Sequence, residues 1–309
     1  MMAKRDFFLF NTVNSVSADA DDAALDRVVA LCERFEKTFG RFNPESELYR
    51  LNHAGGAPTT VSDELAAIIS AALGYCERTD GLFDITMGSV TRLWDFHAGT
   101  IPARADIDRA LEHVNWQNVT VDGSVVTIAD PAAWIDLGGI AKGYIADRII
   151  EQLQADGARH ILVNLGGNVA VAGGKPDGTP WKVGLRRPAS SEATMGVAQS
   201  FAVVQLENGS AVTSGTYERA FERDGRLYHH ILDPKTGEPA QTDLLSVTVV
   251  SKRSLDGDGY TTALIAMGAD RALAFCEDLP DVECVAVTTD GDVLATSGIG
   301  DAIPFELLG

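Results

Sequence analysis

From His160 to Ser251 the chain reads as short apolar segments cut by glycine, proline and asparagine turns: HILVNLGGNVAVAGG, PWKVGLRRP, SFAVVQLENGSAVTSG, LYHHILD and LLSVTVVS. Short β-branched runs bounded by turn formers are strands. The earlier segment NVTVDGSVVTIA alternates valines around an Asp-Gly turn and is a hairpin. Helices are dealt among these strands. Residues 19–39 carry Leu25, Val28, Val29, Cys32 and Phe35 at three- and four-residue steps and stop at Gly40. VSDELAAIISAALGYCERTDG is a second helix, capped by Ser62 with Glu64 in its first turn and Gly81 past its end.

RFNPESELYRLN, between those two helices, is a loop with a short helical turn, and ADIDRALEHV is a short helix. WIDLGGIAKGYIADRIIEQLQADG reads as a strand end, a glycine turn and a long helix. GYTTALIAMGADRALAFCEDL is one further helix ahead of two closing strands in ECVAVTTDGDVLATSG. There is no internal repeat, low-complexity segment or Ser/Pro linker. The expectation is an α+β fold of mixed strands and helices, as one domain over 1–309 or as two interleaved lobes.

Composition excludes several function classes. With 45% hydrophobic and 22% charged residues, the chain is an ordinary globular one. No apolar run approaches the roughly 20 residues that span a bilayer. The opening MMAKRDFFLFNTV lacks a small-residue cleavage site and a cysteine to lipidate, so the expectation is a cytoplasmic protein unless a leader was removed. Cys32, Cys76, Cys276 and Cys284 are scattered without metal-ligand spacing and read as buried thiols. A net charge of −19 repels nucleic acid and anionic lipid. It also sets a condition: a site for a phosphate substrate must bring a local cation or a helix N-terminus.

Four stretches carry candidate chemistry. In DLGGIAKGYIAD the glycine pair lets backbone approach a ligand, and Lys142 in the following helix can reach a phosphate; the bland reading is a turn with a solvated lysine. The spacing matches neither a Rossmann fingerprint nor a Walker A loop. NLGGNVAVAGG, with Asn164, Gly166, Gly167 and Asn168, is a tight corner. SAVTSGTYER sets the Thr213 and Ser214 hydroxyls beside Gly215, an anion nest if they share a turn. In SLDGDGYTTALIAMG, Asp256 and Asp258 read as residues preceding a helix, where capping is the ordinary explanation. Asp258 and Thr262, four apart, also suit one hard cation such as Mg²⁺. Two adjacent imidazoles, His229 and His230, stand ahead of an Asp-Pro and a Thr-Gly turn in RLYHHILDPKTGEP. Trp94 and Phe96 read as core, and Asp84 as a capping residue or an acceptor for a ring.

Taken in order, NPESELYRLN, GLFDITMGSVTRLW, IDLGGIAKGYIAD, VNLGGNVAVAGGKPDGTPWKVGLRRP, AVTSGTYERAF, YHHILDPKTGEP and DGDGYTTALIAMG resemble the ApbE family, the FAD:protein FMN transferases. The resemblance implies an α/β fold with FAD between two lobes. It also implies a reaction in which FAD is split at its diphosphate, FMN passes to a Ser or Thr hydroxyl of an acceptor flavoprotein, and AMP is released. Carried over, the Mg²⁺ ligands are the Gly139 carbonyl, the Asp258 carboxylate and the Thr262 hydroxyl. Asp136 and Lys142 lie along the FAD. Leu82, Phe83 and Asp84 line the adenine or flavin site, with Phe42 at a position often aromatic. Thr213, Ser214 and Ile231 join the FAD-binding set, and His230, in the His-Ile-x-Asp-Pro frame, stands near the reacting phosphate as general base. The chain departs from the family at LFNTVNS, where many members have Met-Gly-Thr, and at Thr216, where Asp or Asn is common. Two other functions use the same residues: a Mg²⁺-dependent FAD pyrophosphatase, with water as nucleophile, and a flavin-binding protein without chemistry.

Overall fold

The computed structural model describes residues 2–186, 188 and 200–308, so Arg187 of the LRRP motif lies outside the described residues. In chain order the elements begin with β1 (Ala3–Leu9), β2 (Thr12–Ala18) and α1 (Asp22–Phe39). Next come α2 (Glu47–Asn52), β3 (Thr59–Thr60), α3 (Asp63–Arg78), α4 (Gly88–Thr91), α5 (Arg104–Leu111), β4 (Val119–Asp122) and β5 (Val125–Ile128). Helix α6 (Ala141–Ala155) leads to β6 (Ile161–Leu165), β7 (Asn168–Ala172), β8 (Trp181–Arg186), β9 (Ser200–Leu206) and β10 (Gly209–Gly215). The chain closes with β11 (Ala220–Arg223), β12 (Arg226–His229), β13 (Leu244–Ser251), α7 (Ser254–Met267), α8 (Ala269–Glu277), β14 (Val282–Thr288), β15 (Val293–Ala295) and β16 (Phe305–Leu307).

These elements form two compact units interleaved in sequence. The first comprises Met1–Glu33, Lys142–Tyr217 and Thr242–Gly309. Its frame is an eight-stranded sheet in the order β1-β2-β6-β7-β10-β13-β14-β15, antiparallel at every pairing among the described residues. Strand β13 sits inside that sheet and is buried along nearly its whole length, which is why LLSVTVVS is apolar almost throughout rather than alternating. One core forms where Val171, Ala211, Val250, Val285 and Val287 of the large sheet meet Val183, Leu185, Phe201, Val204 and Leu206 of a three-stranded sheet, β16-β9-β8. Helix α7 packs against β7, β10 and β13.

The second unit comprises Arg34–Ala141 and Glu218–Gln241. It holds α2 to α5, the sheet β3-β5-β4 and the hairpin β11-β12. Met87, Val90, Trp94, Ile107, Ala110 and Leu232 form a core there, and Phe96 stacks on Trp94 at 5.4 Å, as expected for core aromatics. Serine caps start two of its helices: Ser62 accepts from Leu65 N–H at 3.3 Å and Ser46 accepts from Tyr49 N–H at 3.0 Å.

Three local expectations are corrected. The β4–β5 hairpin pairs Asp122 with Val125, so its loop is Gly123-Ser124 and not Asp-Gly. Trp134 makes only an isolated bridge to Met87, so no strand precedes the glycine turn. The long helix near the end is two helices, broken at Gly268 with φ +79°. At the N-terminus stands a further hairpin, β1–β2, for which the sequence carries no local turn signal. Phe10 and Asn11 both take φ +56° there, a turn that residues other than Asn, Asp and Gly rarely adopt. Among the described residues, no helix is long and apolar enough to cross a membrane.

Candidate functional site

In the first unit the candidate residues gather where α6 meets α7. Gly143 of α6 donates its N–H to Asp258 Oδ2 at 2.8 Å. A Cβ at Gly143 would overlap the Ser254 carbonyl oxygen and lie 2.7 Å from Asp258 Cβ, so glycine is what lets the helices approach. Asp258 is the fifth residue of α7, not a residue ahead of the helix, and is 5% exposed. The expectation that it precedes α7 as a simple cap is therefore corrected. The capping role belongs to Asp147 of α6, whose Oδ1 and Oδ2 accept from Ser254 N–H at 2.8 Å and Leu255 N–H at 2.9 Å.

Burial pushes the Asp258 carboxyl above its ordinary value, partly opposed by Lys142 and by the hydrogen bonds from Gly143 and Lys142. Thr262, one turn further along α7, is half-buried. A helix places residues four apart on one face, so Asp258 and Thr262 share a side of α7. They offer one carboxylate and one hydroxyl, both hard oxygen donors.

Thr213 and Ser214 lie within β10, not in a turn. Successive strand residues face opposite sides. Thr213 Oγ1 is 2.8 Å from Thr248 Oγ1 of β13, whereas Ser214 Oγ donates to Thr261 Oγ1 of α7 at 2.9 Å. The two hydroxyls diverge, so the anion-nest reading is corrected; only Ser214 faces α7. Gly166 and Gly167 make the two-residue turn of the β6–β7 hairpin, with φ +61° and +101°. Asn168 beside it accepts from Ser254 Oγ at 2.7 Å.

In the second unit, Asp136 Oδ1 accepts Gly138 N–H at 2.9 Å, and its Oδ2 takes Arg41 and the Thr91 hydroxyl. Arg41 also stacks on the ring of Phe42, which is 65% exposed. Gly139 and Ile140 form the turn that leads into α6. Asp84 proves to be a loop anchor: Oδ1 accepts from Thr86 N–H and Oγ1, and Oδ2 from Trp116 N–H at 3.2 Å. Burial raises its carboxyl. Phe83 is buried edge-on against Tyr75, and Leu82 is half-buried.

The adjacent histidines separate by environment. His229 is 5% exposed and donates from Nε2 to the Ala240 carbonyl at 3.2 Å. Burial holds its imidazole below the ordinary value. His230 is half-buried, its backbone N–H donating to Arg219 O at 3.1 Å, and Ile231 is buried. No cluster of three or more His, Cys, Asp or Glu able to hold a metal occurs among the described residues. Asp147, Arg41 and Thr91 were not found from the sequence. Their partners lie tens to a hundred residues away, and nothing local marks them.

Asp258 of α7 and Lys142, two residues past the turn at 138–140, are thus brought together where α6 meets α7. The ApbE family model matches residues 10–286, and the chain belongs to that family. The FAD:protein FMN transferase of Klebsiella pneumoniae (strain 342) is 38% identical over 283 residues, covering 90% of this chain and 86% of that protein. The FAD:protein FMN transferase of Treponema pallidum (strain Nichols) is 35% identical over 300 residues, covering 91% and 81%. The crystal structure of the ApbE protein from Thermotoga maritima aligns with a TM-score of 0.86 at 29% identity, covering 96% of this chain and 97% of that one. The flavin transferase ApbE from Vibrio cholerae aligns at 0.84 and 25%, with the same coverage.

Proposed function

We propose that this protein is a Mg²⁺-dependent FAD:protein FMN transferase that attaches FMN to a Ser or Thr hydroxyl of an acceptor flavoprotein and releases AMP. The observation that carries the proposal is the buried Asp258 carboxylate, held by Gly143 N–H and facing Lys142, on the helix side it shares with Thr262. A buried carboxylate calls for a cation. One carboxylate with neutral oxygens suits Mg²⁺, which keeps places for substrate phosphate and water. Asp258 and Thr262, with the Gly139 carbonyl, would hold the ion. An ion held there would supply charge neutralisation for the substrate diphosphate.

The protein's own groups do the rest. Lys142, in the first turn of α6, offers an ammonium to phosphate oxygens. His230 takes the acceptor hydroxyl's proton as that oxygen bonds to the FMN phosphorus. The bond from this phosphorus to the bridging oxygen breaks, and AMP leaves with that oxygen. Asp136, already engaged by Arg41, Thr91 and Gly138, shapes the turn before α6. Arg41 stacked on the exposed Phe42 ring offers a flat surface for the flavin or adenine.

The test is incubation with FAD and Mg²⁺, with and without a candidate acceptor. AMP release that requires acceptor, with FMN bound covalently to it, is the expected result. Acceptor-independent release makes the protein a pyrophosphatase, and intact bound FAD makes it a carrier.

A further inference from the structure

We infer that Asp147 is a positioning residue for the metal site: it fixes the start of α7 on α6 and thereby sets where Asp258 points. The inference rests on the metal reading above and deepens it. Helix α7 lacks its own cap, because Arg253 at its N-cap position makes no side-chain cap bond. The orphan N–H groups of its first turn would otherwise need water or another partner. Asp147 meets two of them at once, one per carboxylate oxygen, from 107 and 108 residues away.

The geometry makes this contact specific to Asp258. Asp147 and Gly143 are four apart on α6, so they lie on one face of that helix. On α7 their partners are Ser254 and Leu255 for Asp147, and Asp258 for Gly143. The two helices are thus pinned at two levels one turn apart. The absence of room for a Cβ at Gly143 means that α7 cannot slide without disturbing the lower pin. Ser254 Oγ adds a third tie, to Asn168 Oδ1 at 2.7 Å at the start of β7.

Keeping Asp147 here is not free. Burial raises its carboxyl to about 6, with Asp256 adding to the rise and the two N–H bonds and Arg253 opposing it. An ordinary cap accepts a single N–H with an uncharged hydroxyl next to its own helix, as Ser62 does for α3. A half-buried carboxylate that bridges two helices makes sense where alignment of those helices matters.

The experiment compares two lost caps. Asp147→Asn removes the charge and one acceptor at the α6–α7 contact; Ser62→Ala removes the cap of α3 and touches no proposed ligand. Mn²⁺ replaces Mg²⁺ as the probe, titrated into protein with FAD, and free ion is read by electron paramagnetic resonance beside urea unfolding of each variant. Groups that hold metal ligands in place typically contribute 10–100-fold in metal affinity. Asp147→Asn should weaken Mn²⁺ binding about 10-fold or more, with turnover recovering at saturating metal. Ser62→Ala should lower stability alone. If Asp147→Asn does not fold, Asp147→Glu keeps the charge but moves the carboxylate by one methylene, and a smaller loss in the same direction is required. Unchanged Mn²⁺ affinity in a folded Asp147 variant, with only stability reduced, makes Asp147 a plain cap and overturns the inference. Wild-type protein that binds no Mn²⁺ in the presence of FAD sinks the metal reading itself, and this inference with it.

Discussion

The closeness of α6 to α7 can be tested with a pair of identical substitutions, Gly143→Ala and Gly74→Ala. Both glycines lie inside helices, where alanine is favoured over glycine by about 1 kcal/mol. At Gly74 in α3 a new Cβ meets only the movable end of Arg78, with Nη2 at 3.6 Å, so that gain should survive. Stability should rise by about 0.5–1 kcal/mol. At Gly143 the new Cβ overlaps Ser254 O and lies 2.7 Å from Asp258 Cβ and 2.8 Å from Ser254 C. None of these atoms can swing aside, since they are backbone or the first atom of a side chain. Overpacking of this kind costs about 1–3 kcal/mol and occasionally more, which exceeds the propensity gain. Relief requires the helices to part, and that lengthens the 2.8 Å bond from Gly143 to Asp258. The twins share the propensity gain and should therefore differ by the overpacking cost, about 1–3 kcal/mol, with Gly74→Ala above and Gly143→Ala below the wild type, read as urea midpoints at constant m. Gly143→Ala should also bind Mn²⁺ more weakly in the presence of FAD, whereas Gly74→Ala should not. A Gly143→Ala protein that unfolds at the wild-type urea concentration or above would falsify the close-contact argument.

Other outcomes can be measured on the same preparations. His230→Ala should slow FMN transfer by roughly 10²–10⁴ with FAD affinity little changed. His229→Ala should act on stability, through the lost bond to Ala240 O, and leave turnover mild; the reverse pattern in turnover would reassign the base. Asp258→Asn, nearly the same shape without the charge, should abolish metal-stimulated AMP release. It should also abolish the mutual strengthening of FAD and metal binding, which must be equal in both directions; persistence of that coupling would remove Asp258 from the ligand set. Asp147, raised from 3.8 to about 6, makes a pH prediction. A carboxyl raised in the folded state adds stability that is fully present below about pH 3.8 and is lost as pH rises through about 6. Asp147→Asn should flatten that part of the stability curve, and an unchanged slope would show that another group titrates there.

What the sequence disclosed follows from the range of the interactions involved. Strands such as LLSVTVVS and the Ser62 cap were legible because their signals lie within a few residues. The N-terminal hairpin was not, since its turn uses Phe10 at positive φ where a reader looks for Asn-Gly or Gly. Asp258 was singled out by its spacing to Thr262, but its place was misread: the Asp-Gly-Asp-Gly run looks like a loop before a helix. The structure makes it the first turns of α7, where glycine at 257 lets the helix sit against Val212. The Thr213–Ser214 nest failed for a related reason, because a Thr-Ser-Gly triplet resembles a turn even when it closes a strand whose residues face opposite ways.

The residues with the least sequence signal are those that orient the others. Lys142, Asp258 and Thr262 stand in motifs, whereas Asp147 and Arg41 become visible only through partners far along the chain. Composition gives a reason why orientation should matter here. A chain of net charge −19 repels a diphosphate over most of its surface, so attraction has to be concentrated at one place. With Asp258 as the single carboxylate in the proposed ligand set, there would be no surplus of charge to compensate for a misplaced one. A site with several acidic ligands tolerates a shift in any one of them. A site with one carboxylate, one hydroxyl and one carbonyl depends on the alignment of the helix that carries the first two. The bidentate cap by Asp147 and the missing Cβ at Gly143 are the two features that fix that alignment.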